Sequence, residues 1–171
     1  MMNSAMLKQK GLYMSKQTIN NTFSLTVPDS FEPVSGKELQ ELSSHGGDPY
    51  RWGVRDREKH VLLIAMWKQY FPLLAWLADL KAMAKKNEQM TRKVYEKHNY
   101  KLLGFESMRI GDIKAEGYRF SYSVENIRQT VTNYLVKDGK TVYALMCFGR
   151  EENLAADQAE FRGIMESLRR V

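Results

Sequence analysis

The chain has one cysteine, Cys147, and three histidines, His45, His60 and His98. A single thiol closes no internal disulfide, so the fold must be held by its core, and a lone thiol suits a reducing compartment. The histidines fall in a loop, at a strand start and at a helix end, and no spacing converges them on one ion; no Cys-x-x-Cys pattern accompanies them, so no metal site is expected. Long hydrophobic runs are also missing. The richest stretch, Phe71 to Ala84, is broken by Asp79 and Lys81, well short of the roughly 20 apolar residues of a membrane span. Met1 to Gln17 carries Lys8, Lys10 and Lys16 but no apolar run of signal-peptide length and no lipobox-like cysteine, which points to a cytoplasmic protein.

Chemical motifs are equally scarce. Gly46-Gly47 lacks both the Lys-Ser/Thr of a phosphate loop and a dinucleotide glycine pattern. The carboxylates Glu106, Asp112, Glu116 and Glu125 lie around expected turns, and no spacing pairs them for acid/base work. Neither an enzyme nor a cofactor is expected. Cys147 alternates in step with Tyr143 and Leu145 in an apolar run, the setting of a buried structural thiol.

What is present is an ordinary globular composition, 43% hydrophobic and 27% charged over 171 residues, enough for one domain with a sizeable core. The formal net charge of +6 favours encounter with acidic proteins, nucleic acid or anionic lipid without choosing among them.

Patterning specifies an α+β fold built on an antiparallel meander. Met1 to Asn21 is polar and aperiodic and is expected to be a flexible extension, with a single domain over 22–171. Phe23 to Val27 alternates as a strand stopped by Pro28. Ser35 and Glu38 stand at capping-box spacing before a short helix through Leu42, and Ser43 to Pro49 reads as a Gly-rich loop. Tyr50–Val54 and His60–Lys68 form an expected hairpin. From Pro72, apolar residues at three-, four- or seven-residue intervals (Leu73, Leu77, Leu80, Met83 or Ala84, Met90, Val94) predict a helix over 72–97, continuous or in two pieces, with Asn87 its weakest point. Four strands follow. In Gly117 to Val124 the residues Tyr118, Phe120, Tyr122 and Val124 share one face, the period of a half-buried strand. Glu125-Asn126 and Asp138-Gly139 supply tight turns. A final helix over 154–169 carries the stripe Phe161, Ile164, Met165 and Leu168, with Asn153 as its cap and Arg169 and Arg170 in its last turn.

This order, with Phe23 to Phe31 opening the domain, then Gly117-Tyr118-Arg119-Phe120, Gly139-Lys140-Thr141-Val142-Tyr143 and Phe161 to Leu168, resembles the PsbP-like group, which also includes DcrB-type bacterial proteins and the Mog-type Ran-binding factor. The resemblance spans about residues 22–168. It implies an antiparallel sheet sandwiched between helices, and binding roles with no shared active site: photosystem assembly, a small GTPase, or membrane-inserting toxin segments. Because no export signal is read in Met1 to Gln17, the chain is expected to depart from the exported members of the group.

For function, the aromatic density of Tyr50, Trp52, Trp67, Tyr70, Phe71 and Trp76 is the most suggestive feature, since Trp and Tyr anchor interfaces as well as cores. The leading expectation is a non-catalytic, chaperone-like module holding a protein partner in an apolar groove lined by Trp67, Tyr70 and Trp76, with Lys68, Lys81 and Lys85 on its rim. The alternative is a nucleic-acid or anionic-surface binder using the basic helix face of Lys81, Lys85, Lys86, Arg92, Lys93 and Lys97, which Glu88 and Glu96 interrupt and which no RRM or KH signature supports.

Overall fold

The computed structural model describes residues 13–43 and 48–171. His45, Gly46-Gly47 and most of the expected 43–49 loop, like residues 1–12 of the expected extension, lie outside the described residues; Ser43 itself ends a helix.

A seven-stranded antiparallel sheet forms the middle layer, in the order β3 (Glu32–Pro33), β4 (Trp52–Asp56), β5 (Val61–Gln69), β9 (Thr141–Arg150), β8 (Ile127–Asp138), β7 (Ile113–Val124) and β6 (Lys101–Ile110). The expected meander is β6 to β9, and the β4–β5 hairpin joins it through β5–β9 pairing. Helix α1 (Gly36–Ser43) and the long helix α3 (Leu80–Tyr95) cover one face. On the other, α4 (Leu154–Glu166) packs beside a three-stranded sheet of β1 (Met14–Ile19), β2 (Phe23–Pro28) and β10 (Arg169–Arg170). The larger core, including Phe23, Leu25, Leu63, Leu145, Phe161 and Met165, lies on that second side. Because both faces are covered, β7 and β8 are not half-buried strands: Ser121 and Thr132 are as enclosed as Phe120 and Val131. At Gly117 the packing is tightest, since a β-carbon there would run into the Asn133 carbonyl oxygen of β8.

Turn chemistry follows the sequence closely. Glu125 and Asn126 both take positive φ (48° and 65°), whereas in the β8–β9 turn only Gly139 does, at 56°. Ser35 and Glu38 form the expected capping box: the Ser35 backbone N–H donates to Glu38 Oε2 (3.1 Å) and the Glu38 N–H to Ser35 Oγ (3.3 Å).

Three expectations are corrected. Met14–Ile19 is strand β1 rather than part of a flexible extension; it pairs with β2 across Asn20-Asn21, both at positive φ, and Asn20 Nδ2 donates to the Tyr143 hydroxyl to hold that turn on the main sheet. The 72–97 segment divides into α2 (Pro72–Leu77), α3 and a 3-10 turn at Glu96–His98. The break falls at Ala78-Asp79, where Asp79 caps α3, and not at Asn87, whose side chain sits mid-helix accepting hydrogen bonds from Tyr118 and Asn133. The last helix stops at Glu166. Arg169 and Arg170 pair with Ser24 and Phe23 instead of ending the helix, and Asn153 gives α4 no side-chain cap.

Candidate docking site

Helix α2 stands at the edge of the molecule, at the end of the sheet where β5 finishes and the β8–β9 turn lies. Its place is set by two contacts: Tyr70 N–H donates to the Lys140 carbonyl (2.8 Å), and Lys137 Nζ donates to the Ala75 carbonyl (2.8 Å). Pro72 opens the helix and Ala75, 3% exposed, is its only buried residue. Everything else large is turned outward. Phe71 is 79% and Trp76 80% exposed, and Leu73, Leu74 and Leu77 are each more than half exposed. At about 100° per residue, Leu73, Leu74, Trp76 and Leu77 spread over an arc of about 160° centred opposite Ala75. The result is a convex apolar knob.

Basic residues flank it along the chain. Lys68 leaves β5 three residues before Phe71, Lys140 adjoins Tyr70, and Lys81 and Lys85 follow on α3; all four are exposed, and none has an ion-pair partner among the described residues. Asp79 is the acidic residue nearest in sequence, and its carboxylate accepts from the Lys81 backbone N–H (3.1 Å), so it is engaged as the helix cap.

The six residues proposed from sequence are not brought into one groove. Trp67 lies on the α4 side of β5, half-buried against the larger core, tilted on Tyr143 (5.9 Å between rings) with the Arg51 guanidinium over it at 5.6 Å. Tyr70 packs on the opposite face, with Leu80, Val142 and Ala144. Alternation along the chain separates them, and Trp76 stands 80% exposed. Lys81 and Lys85 also line a cleft of about 190 Å³ with Phe105, Ser107 and Glu116, on the far side of the sheet from β4 and β5. Leu73 and Leu77 were missed as exposed groups because they match the spacing of Leu80 and Ala84; the signal that marks them is Phe71 to Leu77 itself, a run with no polar side chain and hence no inward stripe.

The neighbouring α3 is built differently. It buries Leu80, Ala84 and Glu88, four residues apart. Glu88 Oε1 accepts from the Tyr100 hydroxyl (2.7 Å) and from Arg92 (2.9 Å), so it lies beneath the basic face and does not interrupt it as the sequence suggested. Asn87, Thr91, Tyr118 and Asn133 form a second polar cluster under the helix. No group of three or more acidic, histidine or cysteine side chains is arranged to hold a metal among the described residues. His60 is an exposed turn residue just before β5, at φ 57°. Cys147 is buried, and burial, aided by Asp157 and Glu160, pushes its thiol far above the usual range.

The architecture is that of the PsbP-like fold. The solution structure of cyanobacterial PsbP (CyanoP) from Synechocystis sp. PCC 6803 matches with a TM-score of 0.69 over 99% of this chain and 98% of that one, at 8% identity. LpqN, involved in cell envelope biogenesis of Mycobacterium tuberculosis, matches with a TM-score of 0.53 over 87% and 83%, at 16% identity. No family model matches the sequence, and no curated protein does so either. Such likenesses establish the fold alone. Among the described residues no helix is long and apolar enough to cross a membrane.

Proposed function

We propose that this chain is a non-catalytic binding module that docks through α2, with Phe71, Leu73, Leu74, Trp76 and Leu77 as apolar anchors and Lys68, Lys81, Lys85 and Lys140 guiding encounter. The observation that carries the reading is the outward display of five large apolar side chains on an element held in place by its backbone. Isolated exposed leucines are ordinary on protein surfaces, but a contiguous apolar cluster with a charged rim marks an interaction site. The binding roles implied by the sequence resemblance to DcrB-type and Mog-type proteins support the same class of function, with a convex contact in place of the expected groove. A second reading, an anionic partner on the basic face of α3, gains from the burial of Glu88 beneath that face.

The test is site-specific photocrosslinking in native cells, with a benzophenone side chain replacing Trp76 and, as control, replacing exposed Lys101 on β6. Adducts at position 76 and none at 101 are expected. Equal or absent labelling at 76 would overturn the assignment of α2 as the contact element.

A further inference from the structure

We infer that the surface α2 docks on is an anionic phospholipid bilayer. The inference rests on the reading of α2 as the contact element and names its partner. Three observations favour lipid over the other occupants. The first is shape: apolar side chains cover an arc of about 160° around α2, whereas a helix seated in a protein groove buries a narrower stripe, so the geometry suits a medium that closes around the helix. The second is composition. Trp76 and Phe71 with three leucines are the side chains that settle at the boundary of headgroups and acyl chains, and a six-residue helix is far too short to go deeper than that boundary.

The third is charge. Lys68, Lys81, Lys85 and Lys140 lack ion-pair partners among the described residues, and the net charge is +6. Exposed, unpaired lysines on the segments that flank an apolar element attract it to an anionic bilayer, and each ammonium near such a surface strengthens binding severalfold. A second copy of this chain would bring the same lysines face to face, so self-association through α2 is opposed. Nucleic acid would use the lysines and stack on Trp76 but leave the leucines in water.

Flotation of the full-length protein with vesicles tests this. At about 50 mM salt, partition into phosphatidylcholine vesicles containing phosphatidylglycerol should exceed partition into pure phosphatidylcholine by roughly tenfold or more, and should fall as salt rises. Trp76→Phe should still bind but lose most of the blue shift in tryptophan emission that the wild type shows on binding. Leu73→Ser/Leu74→Ser/Leu77→Ser should unfold at the wild-type temperature yet lose binding at least tenfold, and Lys81→Glu/Lys140→Glu should flatten the salt dependence. Absence of binding to anionic vesicles, or binding that survives the triple serine change, overturns the lipid assignment. If vesicles fail while the position-76 crosslinker still captures a protein, α2 remains the contact element and its partner is a protein; if both fail, both readings fall.

Discussion

Helices α2 and α3 are consecutive in the chain, separated by Ala78-Asp79, and both are rich in apolar residues, yet they do opposite things with them. Helix α3 seats Leu80, Ala84 and Glu88 against β7 and β8 and closes polar clusters beneath itself, while α2 rests on Ala75 and its backbone and leaves Leu73, Leu74, Trp76 and Leu77 in solvent. Apolar content therefore does not decide burial here. Periodicity matched to a facing surface does: α3 has one inward stripe, and α2, apolar nearly all round, has only the width of an alanine.

The comparison makes stability and binding separable. Phe120→Ala, which empties the aromatic layer under α3, should cost about 3–5 kcal/mol in urea unfolding, whereas Leu74→Ser on α2 should change stability by less than about 0.5 kcal/mol. Equal losses would show that α2 is part of the core after all.

Next come two carboxylates of opposite character, Glu88 buried and Asp157 half-buried. Glu88 is hydrogen-bonded by Tyr100 and Arg92, so Glu88→Gln should destabilise by about 1–3 kcal/mol, read from thermal or urea unfolding. Asp157, on α4, lies over Gly149 where a β-carbon would collide with it, and its Oδ2 has no hydrogen-bond partner among the described residues. Burial first, and the Glu160 carboxylate second, push Asp157 up to about 6. A carboxyl whose folded pKa lies above its unfolded value contributes most stability when protonated, and that contribution falls as pH rises between about 4 and 6. Asp157→Asn should therefore stabilise by about 1 kcal/mol above pH 6, allowing for solvent screening, and the gain should vanish near pH 4. A pH-independent gain would mean that shape rather than charge penalises Asp157.

The smallest effect is expected at the β7–β8 turn. Glu125 takes φ 48°, a conformation asparagine tolerates better, so Glu125→Asn should raise stability by about 0.5 kcal/mol. Thermal unfolding at neutral pH would detect it, with α2 and α3 unaffected.

Much of this molecule was decided locally. The alternation of β7 and β9, the positive-φ turns at Glu125-Asn126 and Gly139, and the Ser35–Glu38 capping box depend on neighbours a few residues away, and a linear sequence displays such neighbours directly. The Asn20-Asn21 turn belonged to the same legible class and marks β1. Other features were set by partners distant in the chain. The pairing of Arg169-Arg170 with β2 depends on a strand more than a hundred residues earlier, and the opposite facing of Trp67 and Tyr70 depends on the register of β5 against β9. The outward turn of α2 was decided in the same way. Leu73 and Leu77 carry the same spacing as Leu80 and Ala84, and what separates an anchor in the core from one in solvent is that no layer among the described residues faces that end of the sheet, because hydrophobic burial needs a surface to bury against and local sequence does not supply one.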